Sequence, residues 1–387
     1  MKKVALAVNY DYHDYGGMLQ AFATQLALDK MGVESEVINF DALKSDINKR
    51  KWKYFLKNIT DLSIVAEKGR VVEKRLRTKL NSDLKEKQVL RDAAFDRFCK
   101  LGFKVSRRFD DWDDLSSSCY DYDAVMVGSD QLWLPSNIAG DYYTLNFVPD
   151  KVRKIAYATS FGIGAIPDKM REKYSAYLKR IECLSARETT GQEIIMQCTG
   201  REVPLVCDPT LLLHSTDWDK VALEKNVPRE DYVFCYFMGD NPEQREFVKR
   251  LAKKEGLKIV ALLHLDQYIP ADEDYVDYAP YDVSPADFVG LVRNAKFVCT
   301  DSFHGTVFSI IFSRNFFTFK RFNKKASLST NTRLESLLNR LNLADRLFTG
   351  QEELGDRIYI KDYESVQEMV EEFRQASKDY IVKSLQE

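Results

Sequence analysis

Short apolar runs recur along the chain, each closed by a turn and most followed by residues at helical spacing. Val4–Val8 is the first; after Gly16-Gly17, Leu19, Phe22, Ala23, Leu26 and Ala27 mark one face of a helix over Met18–Met31. Gly32 closes that helix and Val37–Phe40 forms a second strand, a β-α-β opening that favours a parallel sheet with a right-handed crossover. Strand-like runs continue at Ala124–Val127, Ile155–Ser160, Cys183–Ala186 and Leu205–Cys207. Residues 214–230 are polar and weakly patterned, with Pro228 near their end, and read as a linker. A second series follows: strand Tyr232–Phe237, helix Glu243–Lys254, strand Ile259–Leu263, and a helix Pro285–Arg293 with Ser284 as N-cap and Pro285 at its first position. It ends with strand Phe297–Thr300, a helix near Gly305–Phe312 and strand Phe316–Phe319. These alternations predict an α/β protein of two Rossmann-like domains, parallel sheets flanked by helices, facing a cleft. The first domain spans 1–213 and the second 231–360; a helix within 361–387, near Ser365–Leu385, is placed to cross back to the first domain.

Residues 44–103 break the pattern: they are highly charged, lack strand signals and predict exposed helices inserted in the first domain. Within them, basic and aromatic residues interleave over Lys49–Lys57. One reading is a solvated helix with a single packed face. The other is a surface resting on anionic lipid, extended by Lys74, Arg75 and Arg77. With 57 basic and 59 acidic residues the net charge is −2, so nucleic acid is not an expected partner and any anion site must be local. The seven cysteines are scattered without a C-x-x-C pair, which fits a reducing cytoplasm better than a disulfide framework. The apolar run at the start is too short for a secretory signal and reads as a strand, and no stretch is long and uncharged enough to predict a transmembrane helix.

Chemistry concentrates where Phe297–Thr300 gives way to Asp301-Ser302-Phe303-His304-Gly305-Thr306. Ligands of open α/β sheets bind beyond the carboxyl ends of strands, where helix N-termini offer free N–H groups. An anion there would meet those amides, the Ser302 and Thr306 hydroxyls and the His304 imidazole, a proton donor near neutral pH. The competing reading is that His304 only caps its helix. Asp130, after Ala124–Val127, falls at another strand end as a base or hydroxyl binder, or as an Asx-turn residue. Asp14, Gly16 and Gly17 lie in the first strand–helix turn, where glycine serves turn geometry or lets a ligand approach. Arg187, Lys320, Arg321 and Arg333 follow strands or open helices and are candidate anion binders. His13, His214 and His264 are weaker candidates, and none has metal-ligand spacing. There is no G-x-G-x-x-G or Walker-type motif.

Six segments in this order and spacing resemble the polysaccharide pyruvyl transferases. They are Tyr15–Phe22, Val127–Trp133, Ala156–Gly162, Ser185–Glu188, Asp208–Leu212 and Thr300–Ile311. The resemblance implies a fold like that of two-domain GT-B glycosyltransferases with its site in the cleft. It implies phosphoenolpyruvate as co-substrate, no metal, nicotinamide or flavin, and an acceptor sugar, lipid-linked in one variant of the scheme. The product is a pyruvate ketal on two hydroxyls, for example the 4,6-pair of a hexose such as galactose, in bacterial exopolysaccharide or capsule assembly at the cytoplasmic face of the membrane. By this resemblance His304 becomes the acid or a proton donor to the phosphate, and Asp130 the group that orients or deprotonates the acceptor. Ser302, Phe303, Gly305, Thr306, Arg187, Arg333, Lys320, Gly16, Gly17, Asp14 and Gln131 become the substrate-binding set. Members carry arginine two positions before this histidine, where this chain has Ser302, so the charge must come from Arg187, Arg333 or Lys320. Two other functions fit the pattern: a GT-B-type transferase using a nucleotide sugar, with Asp301 on the ribose, and a non-catalytic glycan-binding descendant.

Overall fold

The computed structural model describes residues 2–57, 82–265, 267–321, 331–355 and 358–386. Six parallel strands form the first sheet: β1 (Lys3–Ala7), β2 (Glu34–Asn39), β3 (Val105–Arg108), β4 (Ala124–Val127), β5 (Arg153–Thr159) and β6 (Cys183–Ala186). Their spatial order is β3-β2-β1-β4-β5-β6. The second sheet holds β7 (Tyr232–Tyr236), β8 (Lys258–Ala261), β9 (Phe297–Thr300), β10 (Asn315–Phe319) and β11 (Leu347–Phe348), in the order β11-β10-β9-β7-β8 and again all parallel. Helices cover both faces of the sheets, so central strands such as β4 and β9 are buried along their whole length and carry unbroken apolar runs.

Each sheet reverses its winding once. In the first, the chain leaves β1 toward β2 and later returns to β4 on the other side; in the second, β7 is flanked by β8 and β9. Crevices form beyond the carboxyl ends of strands at such switch points. Residues following β1 and β4 include Asp14 and Asp130, while those following β7 and β9 include Met238, Gly239 and Asp301.

The helix Tyr15–Lys30 joins the two halves. Asp14 caps it by accepting from Gly17 N at 2.6 Å, and the helix is buried on nearly every face. The Tyr15 hydroxyl donates to the Val283 carbonyl at 3.1 Å, its ring stacks on Phe288 at 5.1 Å and it meets Tyr236 edge-on at 5.6 Å. Ser284 and Asp287 form a reciprocal capping box at the start of Pro285–Asn294. The last helix, Tyr363–Gln386, returns to the first half of the chain: Arg374 Nε donates to the Leu211 carbonyl at 2.6 Å, Ser377 Oγ accepts from Cys207 N at 2.8 Å, and the Tyr380 hydroxyl donates to the Ala156 carbonyl at 3.0 Å.

Two local expectations change. Leu205–Cys207 is no strand; only an isolated bridge joins Leu205 to Ala186. The chain there turns at once into Asp208-Pro209, where Pro209 has no N–H for a ladder and Asp208 caps a short 3-10 turn over Pro209–Leu212. β3 had no apolar run to announce it, since only Ser106 of its four residues is buried. The insertion forms helices at Lys44–Lys57 and Ser82–Gly102; Lys74, Arg75 and Arg77 lie outside the described residues. The cysteines described are all free thiols. Among the described residues no helix is long and apolar enough to cross a membrane.

Candidate active site

β9 ends at Thr300, whose hydroxyl donates to the Tyr236 carbonyl at 2.5 Å and accepts from Ser302 N at 3.0 Å. Asp301 is buried, and its two oxygens accept from Met238 N at 2.7 Å and Gly239 N at 2.8 Å, with Arg321 Nε at 3.5 Å. That carboxylate braces the β7 loop and is not available to grip a ribose. Ser302 caps the helix Phe303–Ile311, its hydroxyl accepting from Gly305 N at 3.4 Å. The Thr306 hydroxyl lies 3.1 Å from the Ser302 carbonyl and 2.7 Å from Thr318 Oγ1. The Ser302 hydroxyl thus accepts in the cap, and the Thr306 hydroxyl bonds to the cap carbonyl and to β10. Gly305 allows this close packing, since a Cβ there would stand 2.6 Å from Thr300 Oγ1.

His304 projects from the first turn of this helix and reaches across to the helix Tyr15–Lys30. A Cβ on Gly16 would fall 1.9 Å from His304 Nδ1, so Gly16 is glycine because the imidazole occupies the place of its side chain. His304 Nε2 lies 3.5 Å from Asp208 Oδ2, at the edge of hydrogen-bond reach, and is buried with no closer partner. Asp208 is fully buried. Its Oδ2 also accepts from Arg187 Nη1 at 2.5 Å and Ser129 Oγ at 3.1 Å, while Oδ1 accepts from Thr210 N and Oγ1 at 3.0 and 2.7 Å. Burial opposes its charge, but His304, Arg187 and the Thr210 hydrogen bond outweigh burial and hold the carboxyl well below the usual carboxylate range.

Arg187 follows β6 and is buried. Its guanidinium stands 4.4 Å over the Phe303 ring, with Nη2 3.8 Å from Asp130 Oδ1 and Nε 3.9 Å from Glu188 Oε2; neither nitrogen has a hydrogen-bond partner. Burial would lower its pKa, yet the anions Asp208, Asp130 and Glu188 raise it. Arg333, from the helix Asn331–Arg340, stands over the same ring at 5.7 Å with Nη1 4.0 Å from Asp130 Oδ1, and its Nε is also unpartnered. Burial, and next the nearby Arg187 charge, push Arg333 down to about 10. Two buried guanidinium groups with unused N–H donors thus share one aromatic platform beside His304. An arrangement with surplus buried donors is suited to an anionic ligand.

Asp130 holds a left-handed backbone, φ +78°, fixed because its carbonyl accepts from Leu132 N at 2.7 Å and Ser160 N at 2.9 Å. Asp14 sits nearby, and burial followed by the Asp130 charge raises its pKa. Gly17 gives its N–H to that carboxyl. The Gln131 side chain lies against Gly162, whose φ is +63° and whose Cβ would meet Nε2 at 2.7 Å. Lys320 pairs with Glu335 at 3.3 Å, both half-exposed. Among the other histidines, His13 bridges Asp92 and Asp96 at 2.9 and 3.0 Å, His214 lies 3.7 Å from Glu371, and His264 sits on Asp272 at 2.6 Å.

Sequence reasoning left Asp208, Ser129 and Glu188 outside the candidate set, although all three lie inside the segments that carried the resemblance. An acid directly after an apolar run was the available signal for Asp208. Its partners come from residues 129, 187 and 304, and no spacing along the chain brings these together.

The fold and the cluster define a two-domain α/β protein with buried histidine, arginine and aspartate side chains gathered where two topological switch points meet. The model of the polysaccharide pyruvyl transferase family matches residues 14–321, and the chain belongs to that family of transferases. No curated protein matches the sequence. Among solved structures the chain is similar to UDP-GlcNAc 2-epimerase from Neisseria meningitidis bound to UDP-GlcNAc, at 10% identity and a TM-score of 0.47, covering 100% of this chain and 94% of that one. It is similar to UDP-GlcNAc 2-epimerase from Methanocaldococcus jannaschii, at 12% identity and a TM-score of 0.46, over 96% and 92% of the two chains. It is also similar to the E. coli ADP-heptose lps heptosyltransferase II, at 10% identity and a TM-score of 0.37, over 98% and 100%.

Proposed function

We propose that this transferase moves the enolpyruvyl group of phosphoenolpyruvate onto two hydroxyls of a sugar, giving a pyruvate ketal in cell-surface polysaccharide assembly. The observation that carries the reading is the pair of buried, incompletely bonded guanidinium groups of Arg187 and Arg333 beside His304. Phosphoenolpyruvate offers two anionic ends to such donors. Arg333 takes the place of the arginine that Ser302 lacks, and Asp208 holds the His304 ring as a positioning residue.

The imidazolium of His304 protonates the methylene carbon, converting it to a methyl group and leaving an oxocarbenium-like centre. The first acceptor hydroxyl adds to that centre and gives up its proton to Asp130. The C–O bond to phosphate then breaks with its pair going to the phosphate oxygen, the second hydroxyl adds to the same carbon and passes its proton to that phosphate, and the ketal closes as hydrogen phosphate departs. The two guanidinium groups stabilise the phosphate as charge moves onto it. No metal or organic cofactor enters this scheme. The reading includes a cytoplasmic location, peripheral to the inner membrane face through residues 49–57, which suits a lipid-linked acceptor.

The test is incubation with phosphoenolpyruvate and galactose-, mannose- or glucosamine-ended acceptors, free and lipid-linked, following acceptor mass and phosphate release. His304→Ala should slow ketal formation by about 10²–10⁴-fold, the range for losing a general acid. Tight binding of a nucleotide sugar with no adduct on any acceptor would replace this reading with a glycosyl transfer. Ligand binding without any turnover, unchanged in His304→Ala, would mark a non-catalytic descendant.

A further inference from the structure

A cavity of about 460 Å³ lies between the two domains, with Asp14, Arg91, Tyr236 and His264 among its lining residues. Asp14 joins it to the His304 cluster, lying within electrostatic reach of Asp130, His304 and Arg321. Two polar groups of its wall are left incomplete. Arg91 donates from Nη1 to the Leu263 carbonyl at 2.8 Å, which ties its guanidinium to the chain one residue before His264. Its Nε and Nη2 are buried and have no partner. Those two nitrogens form the side-on fork that Arg245 presents to Asp272, at 3.1 and 2.7 Å, and that fork matches a carboxylate or phosphate.

The His264 side chain is only 8% exposed. Its Nδ1 is anchored 2.6 Å from Asp272 Oδ2, and Asp272 is itself held by the buried Arg245. His264 Nε2 has no partner. A buried imidazole normally satisfies both nitrogens. One that is fixed through Nδ1 on a carboxylate, with Nε2 bare beside a cavity, is built like a ligand-holding histidine. The acids of the same cavity are already engaged: Asp14 with Gly17 N and Asp92 with His13. Tyr236, Phe95 and Phe237 add aromatic side chains to its wall.

We propose that Arg91 and His264 form a second anion subsite, which takes an anionic substituent, phosphate or carboxylate, of the acceptor sugar while the ring lies in the cavity leading to His304. This rests on reading Arg187 and His304 as the donor end. Calorimetric titration of the full chain with galactose 1-phosphate, galacturonate and galactose, and separately with phosphoenolpyruvate, tests it. The charged sugars should bind at least about tenfold more tightly than galactose, and the one that does names the substituent. Arg91→Gln should abolish that preference, Arg91→Lys should restore only part of it, and Arg187→Gln should weaken phosphoenolpyruvate instead. His264→Asn gives a second reading should Arg91→Gln melt below the unaltered protein. Equal binding of galactose and both charged sugars, or a preference that survives Arg91→Gln and His264→Asn, overturns the proposal. Loss of the preference in Arg91→Gln in a protein that never binds phosphoenolpyruvate upholds the subsite and sinks the donor reading.

Discussion

At the scale of single residues, the site is a balance of charges that burial makes costly to disturb. Asp208 is the hub: one carboxylate holds Arg187, faces His304 and is itself fixed by Thr210. Arg333 is the unbalanced member, since burial and Arg187 both work against its charge. Its folded pKa lies below that of an exposed arginine, so the penalty on the fold is present at every working pH and fades only as pH rises through about 10. Arg333→Leu should therefore raise the stability of the ligand-free protein, by about 1–3 kcal/mol in a denaturant melt, because an apolar side chain removes the buried charge. The same variant should bind phosphoenolpyruvate at least about tenfold more weakly. A variant that neither stabilises nor loses donor affinity would show that Arg333 is merely an ion-pair partner of Asp130. The histidines illustrate what was legible at this scale. His304 was visible because it falls at a strand–helix turn, whereas the unmet Nε2 of His264 depends on Asp272, Arg245 and Arg91, which are spread from position 91 to 272.

At the scale of elements, periodicity located most helices and central strands because burial on both faces leaves unbroken apolar runs. It failed at the edges: β3 is a four-residue edge strand, VSRR, with one buried position, and Leu205–Cys207 reads like a strand but is cut short by Pro209. The helix Lys44–Lys57 shows how one element can carry two readings. Arg50 turns to Asp46 and Trp112, and Lys51 to Asn137, so part of its basic character is structural. Trp52 and Leu56 remain 62% and 58% exposed beside Lys49, Lys53 and Lys57. If this face rests on anionic lipid, the protein should co-sediment with phosphatidylserine-containing vesicles and not with neutral ones. Changing Lys49, Lys53 and Lys57 to Glu should release it, with a loss of about 1 kcal/mol per lysine. Equal recovery of the variant and the unaltered chain on acidic vesicles would leave the solvated-helix reading in its place.

At the scale of the whole molecule, the site exists only because the two sheets present their switch points to each other across the helix Tyr15–Lys30. Tyr15 ties that helix to Val283, Phe288 and Tyr236 of the second half, and Gly16 admits the His304 ring. Gly16→Ala would place a methyl group inside the imidazole, so either His304 rotates away or the halves separate. With His304 as the acid proposed above, the expected outcome is a loss of at least about 10²-fold in turnover, since displacing a reacting group by an ångström has that effect. Far-UV circular dichroism should be unchanged, because alanine favours the helix. Near-normal turnover in Gly16→Ala would remove the close approach from the mechanism.

The sequence by itself determined the alternation of strands and helices, the two α/β series and the presence of His304 at a strand end, because local apolar periodicity and turn chemistry are written in neighbouring residues. It also carried the family, since six segments recur in a fixed order. Only the tertiary structure decided what surrounds His304. Gly16 proved to be a contact surface rather than a turn, Ser302 and Thr306 were directed into the cap and the sheet, and Asp208 became the common partner of Arg187 and the imidazole. The physical reason is that a buried charge must be met by partners within a few ångströms. Those partners are chosen by how two sheets dock, not by position along the chain.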